Sequence, residues 1–576
     1  MRFYFHSLSA HIFVVFLKSK SESMRFFLIL FFISSLLNFQ VEAQETDLVK
    51  TEDISSPIHK ENIGKIIFTS GDIPLEKLKE KDFLSSYELT NKSNLFITAF
   101  LGNSITNYMH DLAPGLTADS LVSIGNYQFT FFIDGRMVHR SNISPDSRID
   151  VQDSAKTIAS PLIDNDPKEN WMTWTQNLWG RFINNGGDSA LTEGKHVLKL
   201  EIRPYVQMGS ELKVGNLIAS GELNLNVYLK PRVDLAKIHL NAITPYDGFP
   251  VSNEKFDVDK IKKLKAYVDE GVFKKINGVV VIKNGRILIE EYFNGDTRDS
   301  LHNPRSVGKT FASAMMGVAI NDGFIKNENQ KLSEFYDLHS FANYAPEKAN
   351  ITIKDLLTMS SVLDCDDNSN SPGKEDNMYP TANWVKFALD LPVNLNPPDS
   401  WHYCTAGAML MGDLLNKTVP GGLEKYADEK LFSLLHITHY RWPYTPQHVP
   451  NTAGGIQLSA LDFAKFGQLY KNQGKWNGVQ VLSKEWVDKT FTKYQSIPGR
   501  KDEYYGYFFW NKKFKVNDKS YETFYCTGNG GNKIYVFTDQ PLIVVVTASA
   551  YNTPYGHSQV DKMMTDFILP AVLDVK

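Results

Sequence analysis

At 576 residues the chain is longer than one hydrophobic core usually organises, which points to two domains behind a targeting segment. Apolar residues make up 42% and charged residues 22%, which excludes a disordered or fibrous chain. A formal charge of -4, with Lys and Arg interleaved among acids rather than gathered in a stripe, excludes electrostatic capture of a polyanion, so no nucleic-acid partner is expected.

The N-terminus carries the strongly apolar run Phe26 to Leu37, preceded by Met24-Arg25 and followed by Val41-Glu42-Ala43. This is the pattern of a secretory signal peptide over residues 1–43, with Met24 as an alternative start. The twelve-residue run falls short of the ~20 residues that span a bilayer, so a secreted or periplasmic address without a stable membrane span is expected. No Cys directly follows Ala43, which argues against a lipid anchor. Cys365, Cys404 and Cys526 are too few for a disulfide scaffold and show no zinc spacing, so no metal site is assigned to them.

Residues 44–245 read as an accessory β-rich domain. Leu198, Leu200 and Ile202 alternate with Lys199, Glu201 and Arg203, and Leu223, Leu225, Val227 and Leu229 alternate in the same way, each predicting a half-buried antiparallel strand. Tyr127 to Ile133 and Met137 to His139 flank Asp134-Gly135, the turn dipeptide of a tight hairpin. A β-sandwich follows. Trp171, Trp174 and Trp179 suit either a sandwich core or, with exposed indoles, a glycan or cell-wall contact; large aromatics are mostly buried, which favours the core.

Past Pro245 to Pro250 the pattern changes to helices mixed with strands over 246–576. Phe256 to Glu270 predicts a helix, and Ile276 to Ile282 pairs with Arg286 to Tyr292 across Asn284-Gly285. Helical segments fill the middle, and strands return at Ile534 to Phe537 and Leu542 to Thr547. One sheet built from both ends of this region is therefore expected, an α/β arrangement.

Asn303 to Thr310, which contains Ser306-Val307-Gly308-Lys309, leads into Phe311 to Ile320, a helix apolar almost all round and hence buried. Ser306 in its first turn and Lys309 three residues on share a face, so the amine reaches the hydroxyl. Burial disfavours the ammonium form and makes the amine a usable base, while free N–H groups at the helix start suit an oxyanion. The spacing alone is unspecific. Ser210/Lys213, Ser252/Lys255 and Ser371/Lys374 repeat it, each read as a surface pair.

Two further segments supply the context. Trp401-His402-Tyr403-Cys404-Thr405 precedes the apolar run Ala406 to Leu415, and Cys526-Thr527-Gly528-Asn529-Gly530-Gly531 precedes the strand at Ile534. With these motifs in order, and with Asn451 to Gly455, Ala464 to Gly467 and Trp476 to Gly478 between the second and third, the chain from Asn277 to Lys576 resembles the class C β-lactamase and penicillin-binding serine hydrolases, including their esterase and aminohexanoate-oligomer hydrolase branches.

The resemblance implies an antiparallel sheet flanked by helices with an all-helical subdomain, preceded here by the sandwich-like domain. It implies Ser306 as nucleophile and Lys309 as its base. Tyr403 would sit between the two and pass a proton to the leaving group. The main-chain N–H groups of Ser306 and Asn529 would form the oxyanion hole on an edge strand carrying Cys526, Thr527 and Gly528, with Gly528 and Gly530 permitting close approach. No cofactor is implied.

Two positions depart from the family pattern. Cys526 stands where relatives carry a Lys or His facing a substrate carboxylate, and Thr405 where Asn is common. Both favour an esterase or amidase acting on a small-molecule or peptide-like substrate over a D-Ala-D-Ala carboxypeptidase or β-lactamase. A silent acyl-sensing or glycan-binding protein is the alternative outside enzymes. Asp364 to Glu375 imitates a calcium loop but has Ser369 where Gly is required, and reads as a polar rim of the cleft. A disulfide between Cys365 and Cys404 could tie that rim to the Tyr403 motif.

Overall fold

The computed structural model describes residues 47–573, apart from 52, 146–155, 165–173, 232, 370 and 396–400. The expected signal segment 1–43, including Met24, and Trp171 lie outside the described residues. Among those described, no helix is long and apolar enough to cross a membrane.

The first half contains two sheets around one core. One runs in the order Ser86–Thr90, Ala219–Tyr228, Gly194–Met208, Gly125–Ile133, Arg136–Asn142; the other is Ile66–Thr69, Leu95–Phe100, Thr157–Ile163. Alternation decides which side chains meet: Leu198, Leu200 and Ile202 are buried with Leu223, Leu225 and Val227, and Phe68 and Ile97 of the smaller sheet join them. Asp134 and Gly135 both take positive φ, 51° and 78°, the geometry of the expected hairpin turn. One pairing differs from the antiparallel pattern: Ser86–Thr90 runs parallel to Ala219–Tyr228. Trp179 is half-buried and tilts against Phe131 and Phe182, on the core side of the helix Trp174–Phe182.

The second half is built on one eight-stranded sheet, in the order Arg286–Tyr292, Ile276–Lys283, Leu542–Ala548, Asn532–Phe537, Lys519–Gly528, Trp510–Val516, Tyr504–Tyr505, Gln495–Ser496, every neighbouring pair antiparallel. Its first and last long strands meet at Val279↔Val546, so both ends of the region do close one sheet. The helix Ala460–Lys471 lies on one face, where Gly467 has room for no side chain: a Cβ would come within 2.9 Å of Ile534 Cγ2. Phe466 of that helix stacks on Phe311 at 3.9 Å, which fixes the buried helix Lys309–Asn321 against it. Helices Ile353–Leu357, Trp384–Asp390, Thr405–Thr418 and Leu423–Ala427 pack together as the helical layer beside the sheet.

Candidate active site

A short 3-10 turn, Arg305–Gly308, delivers Ser306 to the start of the helix Lys309–Asn321. Arg305 carries a φ of 53°, an uncommon conformation for a residue with a side chain, and its guanidinium lies 4.3 Å from the Tyr551 ring centroid. Backbone strain is thus held beside the serine by the packing of Arg305 on Tyr551.

Lys309 is buried, 1% exposed, and its ammonium donates to Ser306 Oγ at 2.9 Å and to the Ala453 carbonyl oxygen at 2.6 Å. The Asn451 to Gly455 segment that supplies Ala453 is pressed against the nucleophile turn: Gly455 N–H donates to Arg305 O at 3.1 Å, and a Cβ on Gly454 would lie 2.7 Å from that same oxygen. The Lys309 ammonium also sits 5.1 Å from the Tyr403 ring centroid. It faces the ring; the Tyr403 hydroxyl is hydrogen-bonded to neither Ser306 nor Lys309. Ser371, one of the repeated Ser-x-x-Lys serines, is buried rather than on the surface, because its hydroxyl donates to Asp364 O at 2.8 Å.

Gly528 closes the third side. A Cβ there would fall on the Pro304 carbonyl oxygen and within 3.0 Å of Ser306 N, so only glycine lets the strand reach the nucleophile turn. Asn529 follows, clamped through Asn529 Nδ2 donating to Asn552 Oδ1 at 2.5 Å, Asn552 N–H donating to Asn529 Oδ1 at 2.8 Å, and Asn532 Nδ2 donating to Asn529 O at 2.9 Å. The strand Lys519–Gly528 is not an edge strand as expected, since Trp510–Val516 pairs along it. That pairing stops at Trp510↔Tyr525, however, which leaves Cys526 to Gly528 open on one side next to Ser306.

One cleft of about 570 Å³ is lined by Ser306, Tyr403, Thr527, Gly528 and Asn529, among others. Cys526 is not among them. Side chains alternate across a strand, so with Thr527 facing the cleft Cys526 faces the core, fully buried, and burial pushes its thiol up to about 12. Thr405 lies beneath the floor, completely buried, with its hydroxyl lacking a hydrogen-bond partner among the described residues.

The structure adds groups that the motifs do not mark. Asp366, Asp367 and Glu375 line the cleft, in keeping with a polar rim. Asp367 Oδ2 accepts from Thr405 N–H at 2.9 Å, and burial raises its carboxyl above the usual range, with the neighbouring Thr405 side chain and Lys309 opposing. Cys365 and Cys404 form the disulfide that joins this rim to the residue after Tyr403. On the opposite wall Lys533 Nζ donates to Thr527 Oγ1 at 2.5 Å; burial, with Lys512 as a like charge nearby, lowers its ammonium to about 7. The signal that could have found it is the Gly530-Gly531 turn, which sets position 533 opposite 527.

A hydroxyl held by a buried amine, beside a strand whose peptide groups reach the same point, is equipped to attack a carbonyl and stabilise the resulting oxyanion. A family model described as Beta-lactamase matches residues 264–562. Among solved structures, the chain is similar to a penicillin binding protein from Bacillus halodurans, at 18% identity over 50% of this chain and 96% of that one with a TM-score of 0.39. It is also similar to a D-stereospecific amidohydrolase from Streptomyces sp., at 16% identity over 53% and 96% with a TM-score of 0.40. A hydrolase with promiscuous acyltransferase activity matches at 13% identity over 53% and 97% with a TM-score of 0.44. No curated protein matches the chain.

Proposed function

Because the chain belongs to the Beta-lactamase family of serine hydrolases, we propose that it cleaves an ester or amide bond through an acyl-Ser306 intermediate. The observation that carries this reading is the 2.9 Å hydrogen bond from the Lys309 ammonium to Ser306 Oγ at the floor of an open cleft. In its neutral form Lys309 takes the hydroxyl proton as Ser306 Oγ bonds to the substrate carbonyl carbon. Negative charge then gathers on the carbonyl oxygen, where the N–H groups of Ser306 and Asn529 meet it. Tyr403, beside the Lys309 ammonium, hands a proton to the leaving alkoxide or amine as the carbon–heteroatom bond breaks and takes one from that ammonium in return, so that Lys309 is a free base again. Water repeats the sequence on the acyl-enzyme, giving its proton to the same base and releasing the acid.

The reading includes export, supported by the Phe26 to Leu37 run and checked by sequencing the N-terminus of the mature protein. The chemistry is tested by exposing the protein and Ser306→Ala to a fluorophosphonate, a penicillin and a short-chain nitrophenyl ester, following adduct mass and product release. Ester turnover and a fluorophosphonate adduct, both lost in Ser306→Ala, are expected. No Ser306-dependent adduct or turnover would leave a binding protein as the better account.

A further inference from the structure

The two N–H groups assigned to the oxyanion come from segments far apart in the chain, the nucleophile turn at Ser306 and Asn529 at the end of the strand Lys519–Gly528. Both must lie within about 3 Å of one point, so their separation has to be fixed by something that touches each. One turn, Ala550 to Thr553, does so.

Tyr551 reaches the nucleophile turn. Its hydroxyl donates to Asn303 O at 2.9 Å, and the Arg305 guanidinium lies 4.3 Å from its ring centroid. The next residue reaches the other donor. Asn552 N–H donates to Asn529 Oδ1 at 2.8 Å and Asn552 Oδ1 accepts from Asn529 Nδ2 at 2.5 Å, a reciprocal pair that fixes direction as well as distance. Asn552 has a φ of 57°, a left-handed conformation that asparagine adopts more readily than most residues. Gly530 lies between the two contacts: it bridges to Ala550, and a Cβ on it would come within 2.7 Å of Tyr551 Cδ1, so the loop after Asn529 is seated directly on the tyrosine.

The turn is tied to the sheet on its inner side. Buried Asn532 donates to Asn529 O and to Ala548 O, each at 2.9 Å, and accepts from Ala548 N–H at 3.0 Å. Thr553 Oγ1 closes the turn by donating to Ala550 O at 2.8 Å. On the outer side Tyr551, Asn552 and Pro554 border a cavity of about 310 Å³ that faces Trp179 and Ile183 of the first half. Close packing does not hold the turn from there, so the inner contacts set where it stands.

Resting on the hydrolase reading above, we propose that Tyr551 and Asn552 are positioning residues that set the distance between the Ser306 and Asn529 N–H groups, one from each side of the oxyanion. Neither is among the residues lining the cleft of Ser306, and both act through the main chain they hold.

The test uses the full chain with three changes. Tyr551→Phe keeps the ring on Arg305 but drops the hydroxyl, Asn552→Gly keeps the left-handed turn but drops the acceptor, and Asn529→Ala keeps the donor N–H while removing its clamp. Each protein is titrated with a fluorophosphonate so that rates refer to competent sites, then measured for kcat and KM on a nitrophenyl ester and for inhibition by a trifluoromethyl ketone. In the ketone adduct Ser306 Oγ bonds to the carbonyl carbon, its proton passes to Lys309, and the carbonyl electron pair moves onto the oxygen, so the inhibition constant reports on the oxyanion hole without a leaving group. In each variant kcat should fall by about tenfold to a hundredfold while KM stays within about twofold, and the inhibition constant should rise in step with the loss in kcat. Asn552→Gly combined with Asn529→Ala should cost no more than the worse single change, because both break one amide pair. If Asn552→Gly does not fold by thermal melting, Asn529→Ala alone breaks the same pair from the other side. Variants that melt like the wild type with kcat and inhibition constant unchanged overturn the proposal, and so does a loss confined to KM or to the fraction of competent sites. Failure of the hydrolase reading is separately visible in the wild type, as absence of a Ser306 fluorophosphonate adduct.

Discussion

The Ala453 carbonyl oxygen holds the Lys309 ammonium at 2.6 Å and thereby sets it 2.9 Å from Ser306 Oγ. A main-chain acceptor fixes position without adding charge, so the amine is aimed at the serine. Replacing Lys309 with Met should lower kcat/KM by about 10²- to 10⁴-fold, the usual worth of a positioned base. Lys309→Arg should not rescue it, since a planar guanidinium cannot serve as a base or meet both oxygens from the same point. Ester kinetics with both variants checks this; rescue by Arg would mean that only positive charge matters.

Gly528 is a second point of dependence. Because a Cβ there falls on Pro304 O, Gly528→Ala must push the strand away from the nucleophile turn, and with it the Asn529 N–H. The expected loss is about 10²- to 10³-fold in kcat, as for removal of one oxyanion donor. Circular dichroism and thermal melting of the variant separate this from global unfolding. A variant that folds and retains kcat would remove Asn529 from the oxyanion hole.

How far the sequence shows these features depends on whether side chains or main chain do the work. The helix behind Ser306 is legible because it is apolar on every side, and the turn at Asn284-Gly285 because positive φ, 51° and 69°, selects those residues. Ala453 is not, since it contributes a carbonyl oxygen that every residue type possesses. Motif order locates Cys526 along the chain but not the face it occupies, which the register Thr527↔Lys533 decides. Lys519–Gly528 is kept from the edge by Trp510–Val516, whose opening Trp510-Asn511-Lys512-Lys513 breaks any apolar-polar alternation, and the strands beyond it, Tyr504–Tyr505 and Gln495–Ser496, are two residues each and too short to display one.

The Cys365–Cys404 disulfide joins the cleft rim to the Tyr403 segment, which is held there also by Asp367 N–H donating to Tyr403 O at 2.8 Å. Reduction should expose two alkylatable thiols, add the mass of two hydrogens, and leave buried Cys526 unreacted in the folded protein. Closing a sequence separation of 39 residues is worth about 4 kcal/mol in the chain-entropy limit. A Cys365→Ala/Cys404→Ala protein should therefore unfold at lower denaturant. Its kcat should fall as well, because the rim no longer holds Tyr403 in place. Unchanged stability and kcat would show that the other rim contacts suffice.

Lys533 gives stability a distinctive dependence on pH. Its ammonium is lowered from the ordinary 10.5 to about 7 in the folded chain, by burial first and then by Lys512, with Asp561 and Glu503 opposing and Arg500 reinforcing the shift. Above the unfolded value the amine is neutral in both states. As pH falls from there toward 7, the unfolded chain binds a proton that the folded chain refuses, so stability is lost across that window and the loss is complete below the folded value. One such proton contributes a slope of up to about 1.4 kcal/mol per pH unit. Lys533→Met should flatten the rise in stability between neutral and alkaline pH relative to wild type, as read from urea midpoints, with the contribution of Lys274, lowered to about 8 by burial, common to both proteins. Identical slopes in wild type and Lys533→Met would mean that the amine is charged throughout and has found its counter-ion within the chain.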